Sequence, residues 1–500
     1  MRHIAFALLV LAGEARAYSE DLHQLITSRS LPRDRAVLGA PAGEELARFR
    51  ALFYRAAVEQ PDEALRAKFR QRYPTEAALD GWAFKELFML DPAALVRGFD
   101  PIPDGPRTRD AVVALASRWP DDDRRNRNRF LRDASRAIQR APDGSPLPYD
   151  PGTLDMGGLT GTTSQAHAHY GLPQGPFSDD PEVLKRDPRH FAIPPGIRVH
   201  GQDFAQIYAD LALLAAGVDE PWLAAAFTGA SFHHIQDVAN QIHTVQVGTY
   251  EFFRSAWMQS KLRDAATLGG LLGPRVTLRD AGLRLLANHH LFSEDLFAKR
   301  LAEAARGAPA PPEIAAALAG LGRDDQTFEV AADRAAAASG GQFARALADA
   351  LVEVSSFEGP DVYRLAFQIS SPELRRWDGH EYRSPDDDPD QWLYPPGPAR
   401  DEELARFYLL AGRGIARAGT ALRIWRRYHE LAAPNAALSR NDIVRRTLAL
   451  LLPYHEQAAA RRARYAPAAI GRASIAWGYP AAAGVLLAGI VAAVVLARRR

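Results

Sequence analysis

An all-α fold is the class this sequence predicts, and three observations predict it. Apolar residues recur at three- and four-residue spacing in GEELARFRALFYRAAVEQ, DFAQIYADLALLAAG, PWLAAAFTGASFHHIQDVA and EELARFYLLAGRGIARAGTALRIWRRYHELA, which is the helical period. Runs of alternating β-branched residues, the mark of strands, are scarce. Helix punctuation also falls where the periodic segments begin and end. Asp219-Glu220-Pro221 puts a proline in a first turn, and Gly217 stops the segment before it.

Taken in chain order, the elements begin with a leader. MRHIAFALLVLAGEARAYS has a basic start, an apolar run too short to span a bilayer and the small-x-small triplet Ala15-Arg16-Ala17. Together these predict a secretory signal over residues 1–17, cleaved after Ala17. A helical domain is expected over 18–306. Within it, residues 141–165 and 171–200 are rich in Gly and Pro and read as long loops, which inside a compact domain are usually functional. GAPAPPE at 307–313 is a linker to a helical extension over 307–473 that packs on the first domain, with an acidic, proline-rich interruption from Ser384 to Pro398. The uncharged stretch Ile475–Ala497, followed by Arg498, Arg499 and Arg500, predicts one C-terminal transmembrane helix. A sorting tail removed later is the competing reading. On either reading the globular part is expected outside the cytoplasm, periplasmic or at the cell surface.

Composition excludes several function classes. The 61 basic residues nearly cancel the 60 acidic ones, so no global field draws in nucleic acid or another polyanion. DDDRRNRNRFLRDASR at 121–136 mixes both signs and reads as a solvated helix face. There is no cysteine, which rules out disulfides and thiolate metal sites and leaves only nitrogen and oxygen ligands for a transition metal.

Ligand-type residues then cluster. In SFHHIQDVANQIH, residues 231–243, His233 and Asp237 stand one helical turn apart on one face, with His243 six residues further on. Taken alone, the segment equally describes a helix whose polar residues bond to their neighbours. Downstream, NHHLFSEDLF places His290 and Glu294 one turn apart. Upstream, Asp155 precedes His167 and His169, with Asp150 a rival for Asp155 and His167 a rival for His169. After cleavage the mature chain begins YSEDLH, with a free α-amino group on Tyr18 and an imidazole at His23. His234 and His289 neighbour these ligands and read as supporting or structural residues. His190, His200, His380, His429 and His455 have no partner at metal spacing and read as surface or loop residues.

In this order the set resembles the zinc-dependent phospholipase C and single-strand-specific nuclease superfamily. The match rests on H-x-x-x-D-x-x-x-x-x-H at His233, Asp237 and His243, on H-x-x-x-E at His290 and Glu294, on Asp155 with His169-Tyr170, and on Tyr18 with His23. The chain departs from the family between Leu25 and about residue 140, in the 46 residues between His243 and His290, and throughout its C-terminal third. Tyr18 stands where Trp is usual, and Gln236 replaces the glycine of the nuclease branch.

The resemblance implies about three zinc ions. Asp155, His169 and His233 would hold one, with Asp237 bridging to another held by Tyr18 and His23. His243, His290 and Glu294 would hold the last. Asp155 and Asp237 would be the catalytic carboxylates of a phosphodiesterase that attacks with metal-bound hydroxide. A phospholipase C acting at a membrane surface on phospholipid is the leading expectation, with no protein partner. Single-strand nuclease or 3′-nucleotidase activity on single-stranded nucleic acid is the alternative. A non-catalytic, membrane-anchored metal-binding protein is the third reading.

Overall fold

The computed structural model describes residues 20–31, 36–38, 43–79, 87, 108–118, 171, 200–244, 278–376, 379, 380, 382, 387–436 and 439–465. Every regular element among them is helical. They are α1 (Glu20–Ser30), α2 (Gly43–Val58), α3 (Glu63–Arg72), α4 (Arg109–Ala116), α5 (Gly201–Ala216), α6 (Pro221–Ala239), α7 (Leu278–Ala305), α8 (Pro312–Gly320), α9 (Gln326–Ala338), α10 (Phe343–Ile369), α11 (Pro398–Ala432) and α12 (Arg440–Tyr465), with short 3₁₀ turns between. Strand pairing among the described residues is limited to two isolated bridges, Val37 with Thr108 and Ser370 with Leu393. The all-α class is thus observed.

Several boundaries have local causes. Asp62 accepts from the Leu65 N–H to start α3, Thr108 from Ala111 to start α4, and Asp325 from Phe328 to start α9. Pro221 opens α6, where its missing N–H costs nothing. Among the described residues no helix is long and apolar enough to cross a membrane. Ile475–Ala497, the 1–17 leader, the 121–136 segment and all of the two long loops except Gly171 and His200 lie outside the described residues.

The chain divides into two compact units, Met1–Tyr454 and His455–Arg500. In the first, α5 and α6 form the centre. Every residue of α5 from Gly201 to Ala215, and every residue of α6 from Gly229 to Ala239, is buried. Helices buried on all sides need a shell of others around them. That shell is drawn from the whole length of the unit, since α6 packs against α1, α4, α5, α10 and α11. The region after the 307–313 linker therefore shares one core with the region before it.

Two contacts show how this centre is held. The Trp425 Nε1–H on α11 donates to Ser231 Oγ on α6 at 3.0 Å, and Ser231 donates onward to the Ala205 carbonyl on α5 at 2.7 Å. One buried hydroxyl thus joins three helices, and the Phe232 ring lies edge-on to Trp425 at 4.9 Å. On the other side α4 comes down on Gly229. A Cβ placed there would lie 2.5 Å from both Ala116 Cβ and the Val113 carbonyl oxygen. Gly229→Ala should therefore push α4 off α6 and lower stability by about 1–3 kcal/mol, the usual cost of overpacking. A urea or thermal melt checks this, and an unchanged midpoint would contradict the close approach.

Candidate metal centre

α6 carries the polar residues of SFHHIQDVA, 231–239, through the core, all of them buried. The helix stops at Ala239 because Asn240 turns extended, with ψ near 117°, and its Oδ1 accepts from the Ile242 N–H at 3.2 Å. A 3₁₀ turn, Gln241–Thr244, follows and carries His243. His233 and Asp237 thus project from α6, while His243 projects from the turn beyond its end.

Two groups of side chains able to hold a metal ion form around this segment, and every member is buried. The first is His23, His233 and Asp237. His23 Nε2 lies 3.4 Å from Asp237 Oδ1, and His233 Nε2 lies 3.1 Å from Asp237 Oδ2, so each carboxylate oxygen faces a different imidazole. The two rings lie 4.1 Å apart at an angle of 31°. The second group is His243, His290 and Glu294. Their His243 Nε2, His290 Nε2 and Glu294 Oε1 atoms form a triangle with all three sides 3.1 Å.

The other ring nitrogens decide the tautomers of the first group. His233 Nδ1 lies 2.9 Å from the Ser117 carbonyl oxygen, which can only accept, so Nδ1 carries the proton. Ser117 caps the C-terminus of α4, the end whose dipole favours a donor. His23 Nδ1 lies 2.7 Å from Gln236 Oε1, and the same amide donates through Nε2 to Thr27 Oγ1 at 2.7 Å. In the neutral tautomer each imidazole therefore turns an Nε2 lone pair toward the Asp237 carboxylate. A divalent cation between them would satisfy all three groups.

The donor set fits such an ion. All six atoms are nitrogen or oxygen, the coordination chemistry of zinc without thiolates. Ligands about 2.0–2.1 Å from one tetrahedral ion stand about 3.3 Å apart, close to the 3.1 Å sides of the second triangle. Glu294 Oε2 is buried and accepts no hydrogen bond among the described residues, whereas its Oε1 also accepts from Asn240 Nδ2 at 2.7 Å. Burial alone would raise the Glu294 pKa, but the His290 and His243 imidazoles outweigh it and hold the carboxyl below its ordinary value. Its ionised form therefore stabilises the fold above the ordinary glutamate range. That contribution disappears as pH falls through the lowered value.

Six of the nine ligand residues singled out in the sequence thus converge in two buried groups. Tyr18, Asp155 and His169, with the rivals Asp150 and His167, lie outside the described residues. Gly171, two residues after His169, is buried beside the site. Its N–H donates to the His243 carbonyl at 3.1 Å, and a Cβ on it would lie 2.8 Å from Val238 Cγ1. His234 packs against both Tyr208 and Phe204, at 5.4 Å and 5.5 Å, with Nδ1 3.9 Å from Asp237 Oδ2. His289 Nε2 lies 3.2 Å from Ser370 Oγ.

Of the histidines expected on the surface or in loops, His200 and His380 do lie outside the helices, half-buried, whereas His429 is carried on α11. His200 flanks the start of α5, and burial pushes it down to about 4. His429 stacks on Trp425 at 4.7 Å. His380 stacks on Trp392 at 3.9 Å and lies 2.7 Å from Asp387 Oδ2. Spacing along one segment cannot show partners contributed by another.

Sequence reasoning also missed the supports Ser117, Thr27 and Asn240. Gln236 stood out only as a departure from glycine. Fold and site define the chain as an all-helical protein with two buried side-chain groups able to hold metal ions. Compared with family models, curated proteins and solved structures, the chain gives no match.

If these groups bind metal, zinc or cobalt(II) at about a hundred times its Kd should stabilise the fold by about 2.7 kcal/mol per independent site, and a chelator should reverse the gain. Lowering the pH should release the ions as imidazole and carboxylate take up protons. Melting curves with and without metal test this, and coincident curves would rule out both groups.

Proposed function

We propose that the chain is a zinc-dependent phosphodiesterase, a phospholipase C-like hydrolase of phospholipids. The observation that carries the reading is that six residues spread from His23 to Glu294 meet as two buried N/O ligand groups. Their order along the chain is that of the zinc-dependent phospholipase C and nuclease superfamily. Zinc ions bound there would supply Lewis acidity, lower the pKa of water and offset charge on the phosphoryl oxygens.

In this reading Asp237 would help to hold two ions, and its charge would let both sit in an apolar core. Ser117 and Gln236 keep His233 and His23 in the tautomer that offers Nε2. Asn240 holds the Glu294 oxygen against His243 and His290. By the resemblance, Asp155 and His169 would complete the His233 side, with Asp155 the second catalytic carboxylate, and the α-amino group of Tyr18 would complete the His23 side. About three ions would result.

Phospholipid is favoured as substrate by the apolar C-terminal stretch, which would tether the domain outside the cytoplasm beside a bilayer, and by the near-zero net charge. Single-strand nuclease or 3′-nucleotidase activity is the second reading, favoured by the five-residue step from Tyr18 to His23. A panel of phosphatidylcholine, other phospholipids and single-stranded DNA decides between them. Turnover of none of these, by protein shown to contain zinc, would leave a metal-binding protein and overturn the proposal.

Asp237→Asn should lose at least about a hundredfold in phosphodiesterase rate, because an amide balances neither cation, while changes at exposed α11 residues such as Leu409 should be silent. Near-normal turnover with unchanged metal content would contradict the two-ion role. A chain beginning at Tyr18 should bind a full set of ions. The same chain with a few residues added ahead of Tyr18 should lose one ion and most activity, since only a free terminal amine can ligate. Equal metal content in both would remove Tyr18 from the site.

A further inference from the structure

The turn carrying His243 is held by residues of the C-terminal third, a region with no counterpart in the family pattern. Gln241, the first residue of that turn, is buried. It donates through Nε2 to Glu358 Oε2 on α10 at 3.0 Å and to the Leu410 carbonyl on α11 at 2.6 Å. Arg417 on α11 closes on the same carboxylate with two bonds, Nη1 to Oε2 at 2.7 Å and Nη2 to Oε1 at 3.0 Å. Arg417 is steadied in turn by Asp325 ahead of α9, at 3.6 Å. Ser355, one turn before Glu358, donates to the Ala239 carbonyl at 3.2 Å, where α6 ends.

The backbone of α11 also lies directly against this junction. A Cβ on Gly414 would stand 2.7 Å from the Ala239 oxygen and 2.9 Å from Gln241 Oε1. These contacts converge on Ala239 and Gln241, the last residue of α6 and the first of the turn, and His243 is the one metal-type ligand that the turn carries. By contrast, the first group rests on α1, α4 and α6.

We infer that Glu358, clamped by Arg417 and grasping Gln241, is a positioning residue that sets His243 for metal binding. The C-terminal third would thus act selectively on the His243–His290–Glu294 group. This rests on the metal reading above. The physical reason is that a 3₁₀ turn has few internal bonds and cannot by itself hold an imidazole to the tolerance a small ion requires. A bidentate guanidinium–carboxylate pair fixes the direction of the carboxylate, and the Gln241 amide passes that direction to the turn.

Cobalt(II) titration of the full chain, followed by visible absorption and by competition with a chromophoric chelator, tests the inference. One background, His23→Ala with His233→Ala, leaves the second group. The other, His290→Ala, leaves the first. Glu358→Ala should weaken cobalt binding about 10–100-fold in the first background and less than about threefold in the second. Glu358→Gln, which keeps an acceptor for Gln241 but loses the charge pairing with Arg417, should fall between. Gly414→Ala, which crowds the same turn from α11, should reproduce the selective loss.

Equal loss in both backgrounds would show general loosening and overturn the inference. So would unchanged affinity of the second group in Glu358→Ala. If the unsubstituted chain takes up no cobalt at all, the metal reading fails and this inference with it. If it binds cobalt normally and only the selectivity is missing, the metal reading stands and the positioning role does not.

Discussion

A carboxylate with no solvent exposure, facing two imidazoles whose outer nitrogens are already committed, is the constraint on which the rest of this structure depends. Asp237 lies fully buried in α6. Transfer of an isolated charge to such a place costs many kcal/mol unless it is paired, hydrogen-bonded or bound to a metal. A metal ion held jointly with His23 and His233 could supply that balance, because α1 and α4 bring His23 and the Ser117 carbonyl to α6. The position of three helices is therefore tied to the electrostatic needs of one side chain.

The same logic explains why so polar a segment runs through the most apolar part of the molecule. Along α6 the polar side chains have defined contacts. Ser231 bonds to α5 and receives Trp425, His233 meets Ser117, His234 stacks on Tyr208, Gln236 joins His23 to Thr27, and Asn240 reaches Glu294. Buried networks of this kind favour a single arrangement, because any other leaves groups unsatisfied at about 1–3 kcal/mol each. The apolar shell around them, Phe204, Phe227, Phe232 and Trp425 among the largest, supplies the cohesive energy and excludes water. A low dielectric and committed tautomers are also the conditions under which a small cation is held most tightly.

The two ligand groups are supported differently. His23 and His233 sit on α-helices whose own hydrogen bonds hold them, whereas His243 sits on a short turn braced by Gly171, Ser355 and the Gln241–Glu358–Arg417 contacts. The helices after residue 312 thus complete both the core and one half of the site. They share a single hydrophobic core with α5 and α6 and do not form an appended layer.

By itself the sequence determined the helical class, the end of α5 and the start of α6, and six of the residues that meet in the two groups. These are properties of spacing. The 3.6-residue period, Pro221, Gly217 and the i,i+4 pairs His233–Asp237 and His290–Glu294 are all read along one segment, where local geometry sets the outcome. Which ring nitrogen carries a proton, which residues steady each ligand, and where the C-terminal third packs were decided only by the tertiary structure. His23 meets Gln236 across a separation of 213 residues, His233 meets Ser117 across 116, and Gln241 meets Glu358 across 117. Contacts of that span leave no periodic trace in the chain, because they depend on how helices dock and not on how any one of them forms.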